Sequence, residues 1–313
     1  MKAIVTGGAG FIGSHLAARL LEEGWSVTVV DNLSSGYERN VPEGAELLTI
    51  DLGEETAGAQ LPRDGADAVF HLASHVGQEL SFERPFYDLK ANAFGTMVML
   101  DWCLKHEVPR LVFASTMNLY GDPEDRDIPV TESMPVRPPS PYAVGKIASE
   151  HLCNVYAPFG IKSTSLRLFN VYGPRQDMKN MKQGMVSIFM SYVARGEPIL
   201  VRGSKDRFRD FISVHDVVDA FVRCLDERAA GKVYNVSSGK RTHVWELLRE
   251  IVEAFGGDPD AYPITYGVGT PRDQFGIFGD SSALQRDLGW APQIELREGI
   301  AEMARWVQEE AEL

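Results

Sequence analysis

Cysteine is scarce in this chain: three of 313 residues, Cys103, Cys153 and Cys224, odd in number and far apart. That spacing excludes a disulfide framework and a cysteine-built metal cluster, and it suits a reducing compartment. The chain reads as cytoplasmic, with no metal. Long apolar runs are missing too. No segment reaches the ~18 consecutive apolar residues of a spanning helix, so no membrane is expected. The opening MKAIVTGGAGFIG is too short in its apolar part, and too broken by glycine, for a signal peptide; a buried strand explains it better. Positive charge is also short: Lys and Arg number 31 against 44 Asp and Glu, a formal net charge of −13. That balance opposes non-specific nucleic-acid binding, which rests on cations meeting phosphates. Any phosphorylated small ligand must then be held by a local cluster of cations. Internal repeats, low-complexity tracts and flexible linkers are lacking as well.

What is present suffices for one large α/β domain or two smaller ones with a sizeable core. Apolar runs at 2–6, 27–30, 47–50, 68–72, 111–114 and 163–169 read as strands. Helical periodicity falls between them at 11–21, 86–106 and 141–157. This alternation predicts an α/β fold, a doubly wound parallel sheet with helices on both faces. Beyond Val171 strands shorten, loops carry Gly, Pro and Arg, and helices are expected at 184–195, 214–226, 244–255 and 296–310.

Between the first strand and first helix lies TGGAGFIGSH. Gly7, Gly10 and Gly13, with Gly8, supply the tight turn and close backbone approach that a pyrophosphate needs. Phe11 and Ile12 open a helix whose N-terminal N–H groups suit an anion. Asp31 and Asn32 close the second strand, where a carboxylate would meet an adenosine ribose and repel a 2′-phosphate. NAD is therefore expected rather than NADP. Asp51, Leu52, Leu72 and Ala73 end later strands on the same face: Asp51 suits the adenine or a simple turn, and the others the pocket wall. The organisation expected is an NAD-binding domain over 1–170 and a smaller α/β substrate-binding region over 171–313, interleaved with the first around 210–236.

PYAVGK sets Tyr142 and Lys146 four residues apart, on one helix face. An ammonium beside a phenol favours the phenolate, so Lys146 is expected to lower the Tyr142 pKa and make it an acid–base near neutral pH. Such a pair is common by chance and gains weight only from its company. STMNLYG, at 115–121, ends a strand with two hydroxyls, Ser115 and Thr116, which otherwise read as turn hydroxyls.

TGGAGFIG, ASTMNLYG and YAVGK, in this order, resemble the extended short-chain dehydrogenase/reductase superfamily, and more closely its nucleotide-sugar epimerases and dehydratases. RLFNVYGPR (167–175), RDFISVHDVVDAF (209–221), YNVSSG (234–239) and ALQRDLGWAP (283–292) extend the resemblance over nearly the whole chain. The resemblance implies a Rossmann-type sheet, NAD and a nucleotide-diphosphate sugar, a UDP-sugar above all. It implies Tyr142 as base, Lys146 on the nicotinamide ribose, and Thr116, not Ser115, on the sugar hydroxyl being oxidised. It also implies a homodimer through a four-helix bundle built from about 86–106 and 141–157, where Phe94, Met97, Val98 and Leu100 are apolar. Substrate contacts implied are Met117, Asn118, Asn170, Arg175, Val186, Arg202, Arg209 and Arg272, with Arg207 in the same basic set. Arg272 stands two positions after Thr270, the place where many relatives carry their arginine.

In the family's dehydratases an acidic pair follows the Ser/Thr. Here Met117 and Asn118 stand there, and neither ionises near neutral pH. The reading is therefore an NAD-dependent 4-epimerase of a UDP-sugar, through a transient 4-keto intermediate. The alternatives are a dehydratase or an epimerase at another carbon, recruiting Glu79, His75 or Cys103, a keto-sugar reductase, and a non-catalytic sensor.

Overall fold

A computed structural model describes residues 1–75, 77–182, 184–269 and 274–311. Its centre is a parallel sheet of seven strands: β1 (Lys2–Thr6), β2 (Ser26–Asp31), β3 (Glu46–Thr49), β4 (Ala68–His71), β5 (Arg110–Thr116), β6 (Lys162–Leu168) and β7 (Val233–Val236). In space they run β7-β6-β5-β4-β1-β2-β3, every pair parallel. The doubly wound α/β arrangement expected from the alternation is what forms.

Both faces of this sheet are apolar, which explains strands that read as continuous hydrophobic runs. Ala3, Val5, Val27, Val29, Phe70 and Val112 point to one face, where helices α1 (Phe11–Glu22) and α5 (Val214–Arg223) pack through Leu16, Leu20, Val217 and Phe221. Ile4, Val69, Leu111 and Phe113 point to the other. There α2 (Gly95–Lys105) contributes Met99, Leu100, Trp102 and Cys103, and α3 (Pro141–Tyr156) contributes Cys153. Leu100 is thus core, Phe94 and Val98 are half-buried, and Met97 is exposed. A second core gathers α4 (Met185–Ala194), α6 (Val244–Ala254) and α7 (Leu296–Glu309) through Phe189, Met190, Leu248, Ile251, Met303 and Val307. Short strand pairs edge it: Ile199–Arg202 with Ile264–Gly267, and Phe208–Arg209 with Thr242–His243 and Gly276–Ile277.

The strand order reverses between β1 and β4, and their C-terminal ends open a crevice there, the usual ligand position in such sheets. Two departures from the sequence reading shape that crevice. β5 runs past the apolar stretch to Thr116, because Ser115 and Thr116 stay in register with Arg167 and Leu168 of β6. The helix expected over 86–106 is not uniform: Pro85–Leu89 and α2 are joined by a π-helical turn at Lys90–Phe94. That turn buries Asn92 against Gly145 of α3, where a Cβ would sit 3.0 Å from the Asn92 Cβ.

Candidate active site

The crevice is a cleft of about 480 Å³. Its floor is the glycine loop. Gly7 has φ +70°, and a Cβ there would lie 2.7 Å from the Ala73 nitrogen; a Cβ on Gly13 would run into the Gly7 carbonyl oxygen. Only glycine permits this packing of loop, helix and β4 end. Gly10 leads into α1, whose first turn carries no acidic residue, so its positive end borders the cleft. Phe11, Ile12, Leu52, Leu72 and Ala73 also border the space.

Asp31 ends β2 beside this loop and is 8% exposed. Its Oδ2 accepts the Ala9 N–H at 3.0 Å and its Oδ1 the Leu33 N–H at 2.8 Å. Burial pushes its carboxyl up, and these amides offset that only in part. Asn32 donates to Asp51 Oδ2 at 3.1 Å, while Asp51 Oδ1 accepts the Gly53 N–H at 2.8 Å. Asp31, Asn32 and Asp51 all border the cleft. Sequence reasoning missed the next segment. Tyr37 N–H and Asn40 Nδ2 both donate to the Ala9 carbonyl, at 3.0 and 3.2 Å, and Gly36 packs on the Ala9 backbone. The signal was the Gly in NLSSG.

Opposite stands the hydroxyl–phenol–ammonium set. Ser140 caps α3 by accepting the Ala143 N–H, and Pro141 occupies its first turn, so Tyr142 and Lys146 rise on one face toward the sheet. Thr116 and Tyr142 both border the cleft, Thr116 acting to lower the Tyr142 pKa, and Thr116 accepts the Asn118 N–H at 3.2 Å. Lys146 Nζ donates to the Ala114 carbonyl at 2.9 Å and lies 5.9 Å from the centre of the Tyr142 ring. The expected depression of the Tyr142 pKa is not found. Burial pushes it up to about 12, against the Thr116 hydrogen bond, and pushes Lys146 down to about 7, against the charges of Asp88 and Glu150. In a dry site desolvation outweighs the ammonium at that distance.

Ser115 also borders the cleft, but its hydroxyl is committed elsewhere. It donates to Glu150 Oε1 at 2.5 Å, and Glu150 is gripped by Arg167 through Nε at 3.0 Å and Nη2 at 2.8 Å. Arg167 Nη1 donates to the Tyr120 oxygen at 3.0 Å, and Tyr120 donates to Asn235 Oδ1 at 2.7 Å. In place of a turn hydroxyl, Ser115 belongs to a side-chain network tying β5, α3, β6 and β7 together.

The remaining site residues divide. Met117, Asn118, Asn170, Arg175 and Val186 border the cleft. Asn170 donates to the Asp210 carbonyl at 2.9 Å. Arg175 has φ +65°, and its buried Nη1 is without a hydrogen-bond partner. Arg202 and Arg209 are not brought to the cleft wall among the described residues. Arg209 is buried and donates to the carbonyls of Phe208, Gln274 and Phe275 at 2.8, 2.7 and 3.3 Å, and Arg207 packs against Gly203. Arg272 lies outside the described residues. Of the three groups weighed as substitute acids, Cys103 is buried in the core with its thiol pushed up, Glu79 is exposed away from the cleft, and His75 borders it.

The comparisons agree with this geometry. The family model described as the NAD dependent epimerase/dehydratase family matches residues 3–237. The UDP-glucose 4-epimerase of Mycolicibacterium smegmatis is 33% identical over 321 residues, covering 100% of both chains. The crystal structure of a Thermotoga maritima UDP-glucose 4-epimerase with UDP-glucose matches with a TM-score of 0.93 at 34% identity, over 99% of each chain. A Thermus thermophilus UDP-glucose 4-epimerase in complex with NAD matches at 0.91 and 34%, over 99% of this chain and 100% of that one.

Proposed function

Because the chain belongs to the NAD-dependent epimerase/dehydratase family, we propose that it is a 4-epimerase of a UDP-sugar, working through a transient 4-keto sugar with Tyr142 as base. The observation that carries this is one cleft bordered by Thr116, Tyr142 and Lys146, where the two residues after Thr116, Met117 and Asn118, cannot ionise. The glycine cradle that no Cβ could enter, the N-terminus of α1 and Asp31 suit NAD. When bound, NAD supplies the hydride acceptor and a positive ring that favours a phenolate nearby. Tyr142 takes the proton of the sugar hydroxyl, and Thr116 holds that oxygen in line. Burial leaves Lys146 titrating at about 7, and the fields of Asp88 and Glu150 favour its charged form against that burial. Elimination of water needs an acid at the Met117–Asn118 position; turnover of a keto sugar within the cleft does not.

Arg175 is the cleft cation suited to a diphosphate, with Asn170 and Val186 on the substrate side. Arg209 would have to give up main-chain carbonyls to serve the same anion. Arg202 and Arg272 stay in the reading as diphosphate partners that replacement by alanine tests. Exposed apolar residues on α2 and α3, Met97, Leu104, Val144 and Val155, suit a homodimer built on these helices, which light scattering checks. The three buried free cysteines suit a reducing, cytoplasmic setting.

The test is incubation of the purified protein with UDP-glucose, UDP-N-acetylglucosamine and UDP-glucuronate, without added cofactor, followed by NMR. Inversion at C4 in at least one supports the reading; no inversion in any overturns it. Tyr142→Phe should lose at least about a thousandfold in turnover and keep its NAD.

A further inference from the structure

Between the glycine loop and Tyr142 the cleft wall carries a pair of side chains that the chemistry above does not use. His75 follows β4, and its Nδ1 lies 2.9 Å from Asp88 Oδ2. The Asp88 side chain is 0% exposed, and that of His75 is 17% exposed and borders the cleft. The imidazole is held from other sides too. Asn92, on the π-helical turn, donates to the His75 carbonyl at 3.2 Å, and the Tyr87 ring meets the imidazole edge-on with centroids 5.1 Å apart. Nε2 has no protein partner among the described residues. Asp88 Oδ1 is buried and has no hydrogen-bond partner either. A buried carboxylate so incompletely satisfied costs more than an apolar residue of its size. Asp88 sits on the Pro85–Leu89 helix, which packs on α3, the helix of Tyr142 and Lys146, and its charge is felt at both.

We propose that His75 is a sugar-contacting residue of this cleft, with Asp88 the buried positioning residue that accepts the Nδ1–H and leaves Nε2 for a hydroxyl oxygen of the hexose. A sugar hydroxyl serves in either charge state, donating to neutral Nε2 or accepting from its protonated form. Because Tyr142 and Lys146 border the same cleft, the contact fixes which face of the hexose ring meets the acid–base set. The proposal rests on the nucleotide-sugar reading and adds to it a residue that discriminates sugar from bare nucleotide.

The experiment is calorimetric titration of the NAD-loaded protein with UDP and with each of the three UDP-sugars, for the wild type, His75→Gln, His75→Ala, Asp88→Asn and Asp88→Ala. Bound NAD and the melting temperature report whether each variant is folded. His75→Ala should weaken the preferred UDP-sugar by about tenfold or more, while its affinity for UDP changes less than about twofold. His75→Gln, if His75→Ala fails to fold, should show the same sugar-selective loss in smaller measure. Asp88→Asn keeps an acceptor for Nδ1–H and should lose less than Asp88→Ala. An unchanged UDP-sugar affinity, or equal losses for UDP and UDP-sugar, overturns the role of His75; equal losses in the two Asp88 variants overturn that of Asp88. If the wild type binds no UDP-sugar, the nucleotide-sugar reading itself fails and this proposal with it.

Discussion

Removing Glu150 should cost more stability than removing any exposed carboxylate of the chain. The Glu150 side chain is 4% exposed and that of its partner Arg167 7%. Glu150 satisfies two Arg167 nitrogens, at 3.0 and 2.8 Å, and the Ser115 hydroxyl at 2.5 Å. Glu150→Ala leaves a buried guanidinium without its counter-charge, and breaking one side of such a pair costs about 3–5 kcal/mol. At about 2 °C per kcal/mol for a chain of this size, the melting temperature should fall by roughly 6–10 °C. Differential scanning calorimetry of the NAD-loaded protein reads this directly. The double replacement Glu150→Leu with Arg167→Met should recover most of the loss, since a buried pair exchanged for apolar side chains of similar volume is near neutral. Glu150 also lies one helical turn beyond Lys146 and Ser115 adjoins Thr116, so the single variant should lose turnover at temperatures where it is still folded. A fall below about 2 °C, or a double variant worse than the single one, would refute the reasoning.

Two further outcomes follow from the cofactor side of the cleft. Gly13→Ala drives a Cβ into the Gly7 carbonyl oxygen, so the loop must shift; ultrafiltration should find bound NAD weakened by at least about tenfold, with a stability loss of about 1–3 kcal/mol. His71 is buried between Thr6, at 2.7 Å from its Nδ1, and Thr96, at 3.1 Å from its Nε2, and burial pushes it down to about 3. The Thr6 oxygen already accepts the Leu72 and Ala73 N–H groups, so its hydroxyl donates to Nδ1 and the imidazole is neutral with its proton on Nε2. The unfolded imidazole takes its proton near ~6.5. Below that pH the unfolded state binds the extra proton, so this group's contribution is fully present above about 6.5 and falls by about 1.4 kcal/mol per unit as pH drops toward its folded value. Urea titrations from pH 7 to pH 5 should show a flatter slope in His71→Gln than in wild type; parallel slopes would refute the assignment.

Much of the site was legible because its chemistry demands particular residue types at fixed spacing. Glycine is the only solution where β1, α1 and β4 converge, and a helix turn fixes Tyr142 against Lys146. The family's spacing, counted back from Tyr120-Gly121, puts Thr116 rather than Ser115 on the sugar hydroxyl, and in the structure the Ser115 hydroxyl is taken up by Glu150. The partners of Ser115 were not legible: Glu150 and Arg167 come from segments that only the fold brings together. Nor was the direction of the Tyr142 shift, because burial is a property of everything packed around a group. Arginines misled more than any other type. The resemblance puts Arg202 and Arg209 on the substrate, yet among the described residues neither borders the cleft and Arg209 sits among main-chain carbonyls. The π-helical turn that sets Asn92 under His75 has no signal in the helical periodicity of 86–106 at all.

The central claim is that Tyr142 and Thr116 serve a reversible oxidation at C4, with nothing eliminated and no other carbon touched. The most direct measurement is to supply the accepted UDP-sugar with deuterium at C4, run the reaction in ordinary water to equilibrium, and in parallel run the unlabelled sugar in deuterium oxide, reading both by NMR and mass spectrometry. The account predicts that the C4 label stays at C4 in the inverted product and that no solvent deuterium enters any carbon. Loss of the label, solvent deuterium at C3 or C5, or a product lighter by a water would contradict it.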